Sequence, residues 1–114
     1  MKKRFVLLSI AFVLATGMLH LFPQTGTQPG TINYYSTGWF ADQVLVRTTA
    51  PFVNPANCPS LDGYLTNPAD PANVAHQAAL LGAYLAGKTV VIVVVNNQCY
   101  IGRPQILGVE ITGP

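Results

Sequence analysis

The run at residues 90–95 constrains this chain more than any other feature. It holds six consecutive β-branched residues, five valines and one isoleucine. Such side chains are stiff at the first side-chain torsion and fit the pleated surface of a sheet, so the run predicts a strand. Because successive strand residues point to opposite faces, an unbroken apolar run predicts that both faces are covered. We therefore expect a central strand with the remaining elements packed around it.

An uncharged helix is predicted immediately before this strand. Asp70 and Pro71 have the form of a helix start, because a carboxylate accepts a hydrogen bond from a free backbone N–H and proline suits the first helical position. Gly87 is the expected left-handed residue at the helix end. One apolar row recurs at helical spacing and is predicted to face the core, and it comprises Val74, Ala78, Leu81 and Leu85.

A second row on the same helix, His76, Leu80 and Tyr84, is also poor in charge. The whole chain is 50% hydrophobic and only 9% charged, which is unusual for a free monomer and points to surface hidden in an assembly, a membrane or a partner. We therefore expect Leu80 and Tyr84 to contact another subunit of a homo-oligomer, or a partner that the sequence does not identify.

The first 22 residues have the pattern of a signal peptide or of an N-terminal membrane anchor helix. Basic residues at positions 2–4 precede an apolar segment that begins at Phe5. The small residues Ala15 and Gly17 favour cleavage by a signal peptidase, whereas apolar character continuing to Phe22 favours an uncleaved anchor. Both alternatives place the body outside the cytoplasmic membrane, periplasmic or secreted, and confine membrane contact to this segment.

Composition divides the rest of the chain into two parts. Residues 23–31 are rich in Pro, Gly, Thr and Gln and are predicted to form a flexible linker, while residues 32–114 are predicted to form one small domain. Beyond the basic N-terminus, three basic residues face four acidic ones, so the body is close to neutral. A body without a basic stripe disfavours nucleic acid as a partner.

Strand patterns precede and follow the helix. The first secure strand lies within residues 42–48, where Val44 and Val46 share one face and Gln43, Leu45 and Arg47 the other. Further strands are expected at residues 31–37, 61–66, 90–95 and 105–112, with a tight turn at Asn96-Asn97 and with Leu107, Val109 and Ile111 inward. This order predicts an α+β fold with a mainly antiparallel sheet or barrel and one helix between the third and fourth strands.

The two cysteines are the next constraint. In an exported chain, Cys58 in a proline-rich loop and Cys99 near the last hairpin most simply form one disulfide bond. The alternative, a reactive thiol, lacks a CxxC spacing and a cationic run that would lower its pKa. One body histidine, His76, and two distant cysteines do not make a metal-ligand pattern, so we expect no metal and no cofactor.

The sequence contains few residues that indicate catalysis and more that indicate ligand binding. His76 has no sequence signature tying it to a serine or carboxylate, so we expect no enzyme. Aromatic residues cluster before the first secure strand, and Tyr100 and Arg103 flank Cys99. Flat rings with polar edges suit a small recognition surface, so the candidate ligand-binding residues are Tyr34, Tyr35, Trp39, Tyr100 and Arg103. The alternative is that Trp39, Phe40 and the tyrosines anchor the core of the sheet.

The layout also resembles known proteins. A tryptophan before the first strand, a loop cysteine, an Ala/Leu-rich helix, the segment at residues 86–93, a second cysteine and a closing strand are similar to small exported bacterial proteins of unassigned function. More distantly the layout resembles the OB-fold B subunits of AB5 toxins, especially the subtilase-cytotoxin B-subunit-like group. That resemblance implies an OB-like barrel with three strands before the helix and two after it, and a ring of five copies that binds glycans.

Two functional hypotheses follow from these patterns. The first is a non-enzymatic exported binding domain, oligomeric and specific for a glycan or protein ligand. The second is a membrane-tethered structural or accessory envelope protein without a small ligand, held by an uncleaved N-terminal helix. The state of the mature N-terminus separates them.

Overall fold

The computed structural model describes residues 23–113, and the signal-peptide or anchor interpretation of residues 1–22 lies outside them. The elements are β1 (Gln24–Gly26), β2 (Gly30–Thr37), β3 (Val44–Thr48), β4 (Tyr64–Leu65), α1 (Asn73–Ala86), β5 (Thr89–Tyr100) and β6 (Arg103–Thr112). The described chain is therefore α+β, with one helix and six strands, as the sequence predicts. Within residues 23–113, no helix has the length and apolar character needed to cross a membrane.

The strands pair in a circuit. Their order is β1-β5-β2-β3-β4-β6, and an additional β5–β6 pairing connects the last strand back to the central one. Every pairing is antiparallel except β4–β6, which is parallel at Leu65 and Gln105. Five strands thus close on one another in the order β5, β2, β3, β4, β6 and again β5. The mainly antiparallel sheet expected from the sequence is confirmed.

The prediction of a flexible linker over residues 23–31 is wrong. β1 pairs with β5, and the next backbone N–H, that of Thr27, donates to the Ile92 carbonyl at 2.9 Å. The Ile92 N–H in turn donates to Thr27 Oγ1 at 3.1 Å, and Gly30 then pairs with Val90. β1 and β2 therefore follow β5 as one interrupted strand. The amino-acid composition did not indicate these strands, because backbone and hydroxyl hydrogen bonds hold the segment rather than apolar side chains.

The β5–β6 hairpin departs from the sequence prediction in its turn. β5 does not turn at Asn96-Asn97, because the Asn96 N–H donates to the Pro23 carbonyl at 3.2 Å and the strand continues. The chain reverses instead at Ile101 and Gly102, whose φ values of 47° and 74° are both positive. Two residues with positive φ suit a two-residue hairpin turn, whose twist matches that of its strands.

The inward face of β6 also differs from its predicted alternation. Val93 pairs with Gly108 but Val94 pairs with Ile106, so Leu107 is an extra residue in the ladder. A bulge of this kind exchanges the two faces of a strand on one side of it. Ile106 is accordingly fully buried while Leu107 is exposed, and Ile111 near the strand end is exposed as well. Val109 packs against the core as predicted.

The end of α1 follows the predicted chemistry, whereas its start does not. The N-cap position is Ala72, which has no side-chain cap hydrogen bond, and Pro71 lies before the helix. Asp70 Oδ1 accepts from the Ala72 N–H at 2.9 Å, within the turn that precedes the helix. At the other end, Gly87 is left-handed with φ 64°, and the Lys88 N–H donates to the Ala83 carbonyl. Such a bond is the one that closes a helix ending in left-handed glycine.

The helix presents the opposite face from the one predicted. Leu80 is 0% exposed, whereas Leu85 of the predicted core row is 76% exposed, and Val74 and Leu81 are exposed as well. The buried row contains the polar residues Asn73 and His76 together with Leu80 and Ala83. These polar side chains are satisfied where they lie: Asn73 Nδ2 donates to the Asp42 carbonyl at 2.9 Å, and His76 Nε2 lies 3.1 Å from Asp70 Oδ2.

One of the two predicted interface residues is therefore buried in the core. Leu80 packs with Val44, Val46 and Ile92, so it is not available to another subunit. Tyr84 keeps part of its surface exposed and contacts Tyr35, with 5.9 Å between ring centroids. Burial of Val44 and Val46 confirms the predicted inward face of β3.

Candidate functional site

One disulfide bond ties the long loop after β3 to the end of β5. Cys58 and Cys99 are bonded, with 5.7 Å between their Cα atoms, as predicted. Beside it, the Ser60 N–H donates to the Gly102 carbonyl at 2.9 Å, so the loop is fastened to the β5–β6 turn at two points. A Cβ atom at Gly102 would lie 3.3 Å from Ser60 Oγ, which shows how closely the two segments pack.

A cleft of about 290 Å³ lies next to this fastened turn. It is formed by the outer face of β2 and β3, by the loop between them (residues 38–43) and by residues of the β5–β6 turn, and the residues that line it are Tyr34, Trp39, Phe40, Gln43, Leu45, Arg47, Asp62, Leu65, Ile101 and Arg103. Three of the five predicted ligand-binding residues, Tyr34, Trp39 and Arg103, are among them. The cleft is therefore the candidate functional site.

Two aromatic rings form the rim of the cleft. Trp39 is 67% exposed and Phe40 is 84% exposed. The Trp39 Nε1–H donates to Ser36 Oγ, which orients the indole from the end of β2. The alternative interpretation of these two residues as core anchors is therefore wrong. Adjacent exposed rings beside a concave surface are unusual without a ligand or partner to cover them.

Asp62 organises the charged groups of the cleft. Arg103 donates to both carboxylate oxygens of Asp62, from Nε at 2.7 Å and from an Nη at 2.8 Å. This paired hydrogen bonding lowers the pKa of the Asp62 carboxyl and raises that of the Arg103 guanidinium. Arg47 Nε donates to the Asp62 carbonyl, and its guanidinium carbon lies 4.2 Å from the centroid of the Tyr34 ring. Both guanidinium groups are thus held in fixed positions.

Gln43 is the one lining residue whose side chain is buried and incompletely bonded. Its backbone is held on both sides, since its N–H donates to the Ala41 carbonyl at 2.9 Å and its carbonyl accepts from Thr37 Oγ1 at 2.8 Å. The residue is only 5% exposed. Among residues 23–113, no hydrogen-bond donor is within reach of its buried Oε1.

The remaining two candidates lie elsewhere. Tyr35 follows Tyr34 in β2 and so points to the opposite face, where it packs on Tyr84 and on the core. Its burial raises the pKa of the phenol. Tyr100 pairs with Arg103 across the hairpin but does not line the cleft.

Some of the lining residues that were not predicted as binding residues could have been found from the sequence. Gln43, Leu45 and Arg47 were assigned together to the outer face of β3, and they line the cleft together. Combining that face with the neighbouring aromatic residues would have found them. Asp62 and Ile101 carried no such signal, because they reach the cleft from a loop and from a turn whose positions depend on the tertiary fold.

A second, smaller cleft of about 180 Å³ adjoins the first. Arg47 and Asp62 line both. On the far side, Phe52 stacks on Tyr64 with 4.8 Å between centroids, and the Tyr64 hydroxyl accepts a hydrogen bond from the Val53 N–H. The two clefts therefore make one longer surface with a charged middle and aromatic residues at each end.

The contact between His76 of α1 and Asp70 of the preceding turn belongs to neither cleft. Neither residue lines either of them. Within the described ranges, no group of three or more His, Cys, Asp or Glu side chains is placed to hold a metal ion. What the cleft offers is ring stacking, hydrogen bonding and fixed charge.

Comparison of the chain with protein-family models, with curated proteins and with solved structures finds no match. The resemblance to AB5 toxin B subunits therefore stays a prediction.

Proposed function

We propose that this chain is an exported, non-enzymatic binding domain of OB-like architecture whose cleft takes a glycan. The strand circuit supports the architecture. If β1 and β2 count as one interrupted first strand, then three strands precede the helix and two follow it, and the third and fifth strands pair in parallel. An OB-fold is a five-stranded Greek-key barrel that binds oligonucleotides or oligosaccharides on the face of its second and third strands and on two flanking loops.

The observation that supports a glycan as the ligand is the exposed pair Trp39 and Phe40 beside a few polar and charged groups of the same cleft. A sugar ring has an apolar C–H face that stacks on an aromatic ring and hydroxyl groups that need hydrogen-bond partners. The rim supplies the rings, while Gln43, Arg47 and Asp62 supply donors and acceptors. A mostly apolar concave surface with a few convergent polar groups is typical of small-ligand sites.

Charge argues against the oligonucleotides that other OB-folds bind. Single-stranded nucleic acid needs a positively charged groove along its backbone. Here the Asp62 carboxylate neutralises Arg103, and the body as a whole has one more acidic residue than basic. A neutral, hydroxyl-rich ligand fits this balance better than a polyanion.

Export is supported by the disulfide and by the pattern of the N-terminus. Disulfide bonds persist in oxidising compartments outside the cytoplasm. Mass spectrometry of the mature N-terminus decides between the two alternatives: cleavage near Met18 supports a released binding domain, and an intact Met1 supports the membrane-tethered accessory protein.

We also propose that the protein is a homo-oligomer, with its interface on the exposed row of α1. Val74, Leu81 and Leu85 leave apolar surface uncovered on an element without a charged side chain. Size-exclusion chromatography with light scattering on the oxidised protein tests this part, and a monomeric mass contradicts it.

A glycan array probed with the oxidised protein tests the binding proposal. We expect hits that Trp39→Ala and Phe40→Ala each weaken by about tenfold, the equivalent of ~1.4 kcal/mol. Ile111→Ala serves as the control, because it truncates an exposed apolar side chain near the end of β6, outside both clefts and outside the exposed helix row. Absence of any hit, or equal binding by the rim variants, contradicts a glycan site in this cleft.

A further inference from the structure

We infer that the second cleft, which Phe52 and Leu61 help to line, is a second sugar subsite of the same site, so that the ligand is an oligosaccharide of two or more linked sugars. This inference rests on the glycan-binding function proposed above and specifies the length of the glycan. It follows from two clefts that share their charged residues and that each have exposed apolar side chains of their own.

The two clefts meet at Arg47 and Asp62, which line both. These residues are fixed against each other, because Arg47 Nε donates to the Asp62 carbonyl. The Asp62 carboxylate is held in turn by Arg103, and the Arg47 guanidinium lies over the Tyr34 ring. A chain bound in the first cleft therefore reaches the second one past charged side chains that do not have to move.

The volumes of the clefts favour one ligand that fills both. They measure about 290 and about 180 Å³. Each alone lies below the range of about 300–1,000 Å³ that is typical of ligand pockets, whereas the two together lie within it. A single sugar bound against Trp39 and Phe40 would leave the second cleft open to solvent, with Leu61 exposed beside it.

The second cleft repeats the chemistry of the first. Phe52 and Leu61 are exposed, so both offer apolar surface to the C–H face of a sugar ring. Phe52 is positioned by the buried Tyr64, on which it stacks with 4.8 Å between centroids. The Tyr64 hydroxyl accepts from the Val53 N–H, which holds the neighbouring backbone as well. A ring held in this way is pre-organised, so little conformational entropy is lost when a sugar packs on it.

The residues shared by the two clefts supply the polar contacts. Within residues 23–113, Arg47 donates from Nε to the Asp62 carbonyl, and its Nη groups donate to no protein acceptor. These N–H groups suit the oxygen atoms of a sugar, because a guanidinium has donors only. The Asp62 carboxylate keeps 42% of its surface exposed and accepts from sugar hydroxyls. Two consecutive sugars can thus bond to one fixed pair of charged side chains.

A series of ligand lengths tests this inference by isothermal titration calorimetry. The probes run from monosaccharide to tetrasaccharide in the cellulose, starch, mannan and chitin series, together with the terminal mono-, di- and trisaccharides of the best-bound arrayed glycan. In the series that binds, we expect affinity to rise by at least about tenfold from monosaccharide to trisaccharide. Leu61→Ala and Phe52→Ala should each reduce that rise to about threefold or less, whereas Trp39→Ala weakens all lengths and Ile111→Ala weakens none.

The two variants differ in their risk to the fold. Leu61 is exposed, so its truncation leaves the core untouched, whereas Phe52→Ala removes a ring stacked on Tyr64. Melting temperatures are therefore measured alongside, and Leu61→Ala alone decides if Phe52→Ala is unfolded at the assay temperature. Equal affinity for monosaccharide and trisaccharide, or a rise that survives in every folded variant, overturns the inference while glycan binding stands. If the wild-type protein binds no probe and no arrayed glycan, the proposed function fails and the inference fails with it.

Discussion

Truncation of Leu80 tests which face of α1 belongs to the core. Leu80 is fully buried and packs in the main hydrophobic cluster, at the position where the sequence pattern predicted an intersubunit contact. Leu80→Ala leaves a cavity inside the domain, whereas Leu85→Ala removes side-chain atoms that already face solvent. The two variants make the same chemical change on one helix, so helix propensity cancels between them.

The expected magnitudes differ widely. Replacing a buried leucine by alanine costs about 2–5 kcal/mol, from lost transfer free energy plus the cavity. We expect about 3 kcal/mol for Leu80→Ala, because the site is closed on all sides by the sheet. In a domain of this size 1 kcal/mol corresponds to roughly 4–8 °C, so the melting temperature should fall by about 12–24 °C. Leu85→Ala should change stability by less than about 0.5 kcal/mol.

Urea unfolding followed by circular dichroism measures both free energies on the oxidised protein, at a concentration low enough that the wild-type protein and both variants are monomeric. The sheet-facing assignment of Leu80 is refuted if Leu85→Ala destabilises as much as Leu80→Ala, or if Leu80→Ala lowers the oligomer mass without lowering the unfolding free energy of the subunit.

Two further predictions concern the groups that shape the cleft. The double variant Cys58→Ala/Cys99→Ala should have an unfolding free energy lower by about 4 kcal/mol, because the disulfide closes a loop of 41 residues. It should also bind glycan more weakly, because the β5–β6 turn is no longer bonded to the loop after β3. A urea midpoint equal to that of the wild-type protein would contradict the stability prediction. Asp62→Asn should cost several tenths of a kcal/mol at pH 7, since the carboxylate is partly exposed and solvent screens the pair. The pKa of Asp62 is lower in the folded state than in the unfolded state, where it is near 4. The stabilisation by the Asp62–Arg103 pair is therefore complete above pH 4 and disappears as the pH falls through the folded-state pKa. A stability difference between wild-type protein and Asp62→Asn that grows below pH 4 would contradict this prediction.

Local chemistry predicted several parts of the fold from the sequence. The left-handed end at Gly87 and the inward pair Val44 and Val46 each depend on a few neighbouring residues, and the disulfide joins the only two cysteines of the chain. Tyr34 and Trp39, which line the cleft, were named from the sequence because aromatic residues before a strand are conspicuous. These features do not depend on how distant segments meet.

The errors have a common cause in distant contacts. Helical periodicity indicates two rows on α1, and the more apolar row was predicted to face the core. The other row is buried instead, because the polar groups of Asn73 and His76 bond to Asp42 and Asp70. Those partners are set by the turn before the helix and by the loop before β3. β1 was missed for a similar reason, since its strand character comes from the free edge of β5 and not from its own residues.

Titration of Trp39 fluorescence tests whether the cleft is the glycan site. Trp39 is the single tryptophan of the chain and stands on the rim of the cleft, so its emission reports on that site alone. Addition of a glycan found on the array should change the emission saturably in wild-type protein and in Ile111→Ala, and the affinity should fall by about tenfold in Phe40→Ala. A glycan that binds with full affinity and leaves Trp39 emission unchanged would place its site elsewhere and contradict the account.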